Sequence, residues 1–178
     1  MGGTTLFGPV MQLGFVVPDL EAAARHWVSL GVGPFYVLDR VEFAECHYQH
    51  KPVDFHMSVA LAQWGAVQVE LIQQRDDVPT IYTDFPLARQ GGLQHLGVMV
   101  DSVDDQLKRL EREGIRSVQA GSTTAGTRFA YVDTDRLPGA HPGGMIELIE
   151  RSPAIEAYFE RVRRAAEGWD GARPLRGR

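Results

Sequence analysis

The stretch VMQLGFVVPDL, residues 10–20, is repeated in outline by LQHLGVMVDSV, residues 93–103. In both stretches a polar residue precedes Leu-Gly and three apolar residues, and a turn with an acidic helix start follows. Gln12 aligns with His95, 83 residues further along the chain. Self-similarity at a fixed offset indicates two copies of one structural module.

Each copy continues with a helical pattern and then with strands. Asp19 and Ser102 are expected to cap the two helices, and Gly31 and Gly114 to end them in the same relative place. The predicted strands after the helices are residues 35–42, 55–62 and 66–73 in the first half and 115–119, 127–133 and 144–150 in the second. Each half is therefore predicted as a βαβββ module.

The predicted fold class is α+β, with two paired βαβββ modules that form a curved mixed sheet. A four-stranded sheet with one helix cannot easily cover its second face alone, so two modules are expected to share a concave face. The predicted modules are residues 8–74 and 92–150. Residues 75–91 are predicted as a linker with one short helix, and residues 151–178 as an amphipathic helix over 154–167 followed by a loose, arginine-rich tail.

Length and composition limit the classes of protein to be considered. The chain has 178 residues, 44% of them hydrophobic, and a formal net charge of −5, as is ordinary for a globular protein. We expect no nucleic-acid or membrane partner, because the chain is acidic and no apolar run approaches the roughly 20 residues that span a bilayer. Cys46 is the single cysteine, so a disulfide framework is excluded, and the N-terminus has no secretory pattern. The expected location is the cytoplasm.

Four polar residues occupy equivalent places in the two halves: Gln12 and Glu70, His95 and Glu147. A carboxylate between apolar neighbours is costly to bury unless it is paired, protonated or bound to a metal. Any one of these residues alone is better explained as an exposed edge position or a hydrogen-bonded core residue than as a metal ligand. Four at related places favour a site for a divalent cation, and the donor set does not distinguish zinc, nickel, cobalt, manganese or iron.

The motifs QLGFVVPDLEAAARHW, VQVELIQ, GGLQHLGVMVDSVDD and GGMIELIE resemble the vicinal oxygen chelate superfamily, which includes glyoxalase I, methylmalonyl-CoA epimerase and bleomycin-resistance proteins. The resemblance spans residues 10–150 and is greatest to the epimerase branch. It implies that Gln12, Glu70, His95 and Glu147 are the metal ligands, as eukaryotic glyoxalase I is similar in using Gln, Glu, His and Glu. It also implies a small-molecule substrate and a homodimer.

The resemblance implies a metal-dependent lyase or isomerase that moves a proton next to a metal-polarised carbonyl. The substrate would be a small oxoacid, a thioester or a related compound. Glu147 is the expected base, and by approximate alignment His56 stands near the second base of the epimerases. A surface-facing His56 is the alternative. Epimerases usually have a carboxylate there, which weakens the match to methylmalonyl-CoA itself.

The resemblance places substrate contacts near Arg128 and Tyr131. The two residues differ in strand parity, so both cannot face the concave side without a bulge. Arg128 is preferred, because a guanidinium would hold a carboxylate or phosphate. The segment ECHYQHK, with Cys46, His47 and His50, is predicted as a loop that forms a flap rather than a metal site.

Several other functions remain open. The alternative from another class is a metal-free binding protein of the bleomycin-resistance type, against which the complete ligand set argues. Gln12 departs from the two-histidine pattern of iron dioxygenases, which argues against that activity. Glyoxalase I proper usually has Asn-Trp-Gly where this chain reads QQRDD, which argues against glyoxalase I itself. A cyclase or hydratase would share the metal site.

Overall fold

A computed structural model describes residues 6–84, 90–134 and 145–177. The elements are β1 Val10–Val16, α1 Leu20–Ser29, β2 Phe35–Leu38, β3 Phe43–Tyr48, β4 Lys51–Pro52, β5 Met57–Trp64, β6 Val67–Gln74, β7 Gly92–Val100, α2 Val103–Arg112, β8 Ser117–Thr123, β9 Arg128–Asp133, β10 Met145–Glu150, α3 Pro153–Ala166 and β11 Leu175–Arg176. The predicted α+β architecture is confirmed. The βαβββ succession occurs twice, as β1-α1-β2-β5-β6 and as β7-α2-β8-β9-β10.

The two module helices begin and end where their capping residues are. The Asp19 side chain accepts a hydrogen bond from the Ala22 backbone N–H at 2.9 Å, and the Ser102 side chain accepts one from the Asp105 N–H at 3.2 Å. Gly31 and Gly114 follow the helices with φ of 84° and 79°, a backbone conformation that favours glycine. The sequence repeat therefore encodes matching helix boundaries.

The described strands form one curved mixed sheet in the order β11-β2-β5-β6-β1-β7-β10-β9-β8-β3-β4. The halves meet edge to edge where β1 and β7 pair antiparallel. Helix α1 packs on the outer face of the first half through Leu20 and Ala24, and α2 packs on the second half through Val103 and Leu110. The inner face of the sheet forms a cup with its own apolar core.

The segment predicted as a flap is a strand instead. The strand predicted over residues 35–42 ends at Leu38, and β3 follows and pairs antiparallel with β8 at the far edge of the second half. A tight turn with positive φ at Gln49 and His50 leads into β4. Inward-facing Cys46 is buried in the core of the cup, which explains why this polar-rich segment is ordered.

The C-terminal tail is not loose. After α3, strand β11 pairs parallel with β2, and the Phe35 N–H donates to the Pro174 carbonyl at 2.8 Å. The Trp169 ring lies directly over Gly33, where an added Cβ would approach it to 2.6 Å. The expectation of a frayed end is therefore wrong, because a single tryptophan and a two-residue strand anchor the tail.

The linker contributes to the inside of the cup. Within its described residues, 75–84, 90 and 91, there are turns and no helix, and residues 85–89 of the predicted helical region lie outside the described part. Ile81 and Tyr82 are 4% and 2% exposed and belong to the core of the cup. None of the described helices has the length and apolar character needed to cross a membrane.

Candidate metal centre

The candidate centre is built on the seam between β1 and β7. In the antiparallel register Gln12 lies opposite Gly97 and His95 lies opposite Gly14. A Cβ on Gly14 would collide with the His95 imidazole, and one on Gly97 would lie 2.7 Å from the Gln12 amide oxygen. Each glycine thus leaves room for the polar side chain of the opposite module. This mutual requirement explains why the chain contains the Leu-Gly motif twice.

The two glutamates flank this seam. Strand β6 pairs Glu70 with Gly14, and β10 pairs Glu147 with Gly97. Because neighbouring side chains on one face of a sheet lie close together, all four predicted ligands converge on the floor of the cup. His95 is fully buried, and the side chains of Glu70 and Glu147 are 13% and 10% exposed.

The convergent atoms are close enough for one ion. His95 Nε2 lies 3.3 Å from an oxygen of Glu70 and 3.3 Å from an oxygen of Glu147. One ligand atom from each of these three residues lies within 4.8 Å of the others. Within the described part of the chain, Gln12 Oε1, Glu70 Oε2 and His95 Nε2 are buried without a hydrogen-bond partner. Buried polar atoms without hydrogen-bond partners are rare, and a divalent cation that displaces the proton of His95 would satisfy all three at once.

Two further glutamines orient the ligands. The Gln12 amide nitrogen donates to Gln68 Oε1 at 2.7 Å, which turns the Gln12 oxygen toward the centre. His95 Nδ1 lies 2.7 Å from Gln94 Oε1. Because an amide oxygen only accepts, this bond requires the proton on Nδ1 and leaves Nε2 available as a ligand. Both glutamines are buried.

A bulge brings Gln94 into position. On β7 it is the extra residue between the register pairs Gly14–His95 and Phe15–Leu93. Bulges re-aim a side chain locally, so Gln94 reaches the ring of its own neighbour. Sequence analysis missed both orienting glutamines. The position of Gln68 could have been predicted, since it lies two residues before Glu70 and therefore on the same strand face. The position of Gln94 could not, because strict alternation puts it on the strand face away from His95.

The two carboxylates determine the charge of His95. Burial opposes its protonated form, but contacts with Glu147 and Glu70 outweigh burial and raise the His95 pKa to about 9. Burial also raises the pKa of Glu70. The contact with His95 lowers this pKa, and the negative charge of Glu147 raises it further. A cation that binds here must therefore displace a proton from His95.

A cavity of about 130 Å³ lies above the four side chains. Gln12, Glu70 and Glu147 form its polar floor. Most of the wall is apolar or aromatic, with Phe43, Val59, Leu61, Phe129, Tyr131 and Phe159 among its residues. The described wall contains no lysine or arginine.

Of the two predicted substrate contacts, only Tyr131 faces the cup. Its ring packs edge-on against His95 at 5.2 Å between centroids, and its hydroxyl accepts from Tyr82 at 2.9 Å. Arg128 lies on the outer face, where its guanidinium donates to both carboxylate oxygens of Asp104 at 3.0 and 2.6 Å. The prediction that Arg128 rather than Tyr131 contacts the substrate is therefore corrected, because Asp104 of α2 pairs with the Arg128 guanidinium on the outer face.

His56 is also outside the cup. Met57, Val59 and Leu61 of β5 line the cavity, so alternation directs His56 to the other side. The His56 backbone N–H donates to Asp76, and its ring Nε2 lies 3.3 Å from the Asp39 carbonyl oxygen. The prediction of His56 as a second base is corrected for this reason.

Comparisons with known proteins agree with this architecture. A sequence profile described as the Glyoxalase/Bleomycin resistance protein/Dioxygenase superfamily matches residues 11–131. Methylmalonyl-CoA epimerase from Mycobacterium tuberculosis is similar in structure, with a TM-score of 0.58, 23% identity and coverage of 88% of this chain and 97% of that chain. A hypothetical protein from Bacillus halodurans is similar with a TM-score of 0.58 and 16% identity. The match covers 81% of this chain and 94% of that chain.

A third similar structure is a variant of Streptomyces coelicolor methylmalonyl-CoA epimerase in complex with 2-nitronate-propionyl-CoA. Its TM-score is 0.54 at 14% identity, with coverage of 83% of this chain and 96% of that chain. At these identities the three structures show the fold alone. None of the curated proteins compared with the chain matches it.

Proposed function

Because the chain belongs to the glyoxalase/bleomycin resistance protein/dioxygenase superfamily, we propose that it is a divalent-metal-dependent lyase or isomerase that transfers a proton next to a carbonyl carbon. The observation that carries the proposal is the convergence of three buried atoms that can act as metal ligands and have no hydrogen-bond partner, on Gln12, Glu70 and His95, beside the Glu147 carboxylate. The proposed substrates are small oxoacids, thioesters or related compounds.

The proposed ligands are Gln12, Glu70, His95 and Glu147, and the ion they hold would supply Lewis acidity toward a substrate carbonyl. Glu147 is the proposed base, since its carboxylate lies at the cavity floor and can hold the proton taken from the substrate. The Tyr131 hydroxyl accepts a hydrogen bond from the Tyr82 hydroxyl, so its own O–H can donate to a substrate oxygen. The apolar wall limits the contact of these groups with water.

The position of His56 bears on the type of reaction. A two-base epimerisation requires a second proton carrier facing the substrate, and His56 lies on the other side of β5. Transfer by the single carboxylate of Glu147 is therefore favoured over epimerisation that uses His56.

A metal-free binding protein is the second candidate, and the aromatic and apolar cavity wall is the observation that favours it. Binding proteins hold small apolar ligands in pockets with such walls. The two candidates differ in one property, which is whether the centre takes up a cation. The homodimer and the cytoplasmic location remain predictions.

Solvent deuterium exchange tests the enzyme proposal. Protein reloaded with zinc, nickel, cobalt, manganese or iron is incubated in D₂O with 2-oxoacids, thiohemiacetals and acyl-CoA thioesters. We expect metal-dependent exchange at the carbon next to the carbonyl, lost in Glu147→Gln and retained in Glu111→Gln, which changes an exposed glutamate of α2. Equal exchange in wild-type protein and Glu147→Gln would refute the role of Glu147.

A further inference from the structure

Helix α3 forms one wall of the cup. Ile155, Tyr158 and Phe159 line the cavity, and Val162 is fully buried in the same core. The helix lies beyond the segment that matches the family profile, which ends at residue 131. It also follows both βαβββ modules in the chain, so its side chains close the cup from outside the repeat and are the ones to examine for specificity.

The helix is held firmly in place. The Arg161 guanidinium lies 4.7 Å from the centroid of the Tyr36 ring on β2, and Arg176 of β11 lies 6.0 Å from the same centroid. Cation–π contacts from α3 and from β11 thus join the C-terminal segment to the first module. Together with the burial of Val162, these contacts hold α3 against the first module and its inner side chains toward the cavity.

Tyr158 brings a polar group to this wall. Its hydroxyl oxygen is buried and has no hydrogen-bond partner within the described part of the chain. Burial raises the Tyr158 pKa to about 12. The charge of Arg161 lowers this pKa and that of Glu70 raises it, and the hydroxyl keeps its proton. A buried donor without a partner is costly, and an acceptor oxygen on a bound ligand would remove that cost.

The remaining wall defines the body of the ligand. The rings of Phe43, Phe129 and Phe159 face the cavity, whose volume is about 130 Å³. An engineered apolar cavity of about 150 Å³ in another protein holds benzene. The space above the polar floor therefore fits a body about the size of one six-membered ring.

The described cationic side chains near the cup are engaged elsewhere. Arg128 pairs with Asp104, Arg75 donates to Ser58 Oγ at 2.9 Å, and Arg161 lies over Tyr36. The floor carries two carboxylates, so a ligand with its own negative charge would meet repulsion in the ion-free protein.

We propose that Tyr158 is a substrate-contacting residue that donates a hydrogen bond to an oxygen of the substrate, and that the substrate has an apolar body about one ring in size. As a statement about the substrate, this inference rests on the proposed function. As a statement about ligand contact, it is tested without metal and without turnover.

The test uses three probes of nearly equal shape and metal-free, full-length protein. Acetophenone has a ring and one acceptor oxygen, α-methylstyrene replaces the oxygen with carbon, and benzoate adds a negative charge. Affinities are measured by ligand-observed NMR titration for wild-type protein, Tyr158→Phe and Tyr48→Phe. The last is a matched control, because the Tyr48 hydroxyl bonds Asp84 and Tyr48 does not line the cavity.

We expect Tyr158→Phe to weaken acetophenone binding about tenfold and to change α-methylstyrene binding by less than about twofold. Tyr48→Phe should change neither, and benzoate should bind at least about tenfold more weakly than acetophenone. Equal acetophenone affinity in wild-type protein and Tyr158→Phe, no binding of acetophenone, or preference for benzoate would overturn the inference.

Metal content measured on the same preparations separates this inference from the proposed function. A protein that takes up metal, but whose acetophenone affinity does not depend on Tyr158, refutes the inference alone. A protein that takes up no metal, but loses acetophenone affinity in Tyr158→Phe, refutes the metal-dependent function and supports the ligand contact.

Discussion

The His95 imidazole occupies the space that a Cβ on Gly14 would need, and the two residues are register partners across the seam between the modules. The same relationship holds in reverse between Gln12 and Gly97. The same β1–β7 pairing therefore joins the two halves and brings the side chains of the candidate centre together. A change at either glycine should affect both the metal centre and the stability of the fold.

We predict that Gly14→Ala displaces His95 and lowers metal affinity by about 100-fold. The overpacked seam should also lose about 1–3 kcal/mol of unfolding free energy. Metal titration and denaturant unfolding measure the two effects. Gly8→Ala is the control, because its Cβ would meet only an ordinary contact of 3.6 Å. Full metal affinity in Gly14→Ala would contradict the account of the seam.

The orientation of His95 gives a second prediction. Gln94→Leu removes the acceptor for the Nδ1 proton, so metal affinity should fall about 10–100-fold while the fold persists. Gln63→Leu is the matched control, because the Gln63 amide donates to the Gly65 carbonyl near a turn, away from the centre. A competition titration with a chromophoric chelator measures both variants, and equal affinities would refute the orienting role.

Metal uptake should depend on pH. The His95 pKa rises from 6.5 to about 9 in the ion-free protein, so the protonated ring stabilises that form fully below pH 6.5 and loses this contribution as pH rises through about 9. Binding at neutral pH should then release about one proton, and affinity should fall about tenfold per pH unit below 9. Calorimetry in buffers of different ionisation enthalpy measures the release. An observed heat that is independent of the buffer would contradict this prediction.

The position of β3 predicts the reactivity of Cys46. Cys46 is 4% exposed, and burial raises the pKa of its thiol to about 12, although a hydrogen bond from the His47 backbone lowers it in part. We therefore expect native protein to react with a thiol reagent at least about 100-fold more slowly than unfolded protein. Equally fast labelling of both forms would mean that β3 is an open flap rather than a strand paired with β8.

The sequence repeat predicts much of this fold, because caps, glycines and polar strand positions recur at matching places in the two halves. Gln12, Glu70, His95 and Glu147 lie together as the repeat implies. What alternation could not decide is which face of a strand points into the cup. Six consecutive residues of β5 are buried, since α1 covers one face and the cup encloses the other. The position of His56 was wrongly predicted for this reason, and that of Arg128 because its ion pair with Asp104 of α2 on the outer face is a long-range contact.

Other features depend on long-range contacts that local patterns do not carry. Strand β3 is stabilised by β8, about 75 residues further along the chain, and β11 by β2, from the opposite end of the chain. Gln94 reaches His95 only through a bulge, which breaks the alternation used to predict its direction. The hydroxyl of Tyr158 acquires significance only when α3 is seen to close the cup.

The central claim is that the four convergent side chains hold a divalent cation, and metal content tests it most directly. Plasma mass spectrometry is applied to tag-free protein as purified, after chelation and after reloading. The account predicts about one ion per chain, lost in His95→Ala and retained in His47→Ala, which changes an exposed histidine of β3. Protein that accepts no ion on reloading, or His95→Ala protein that retains a full equivalent, would contradict it.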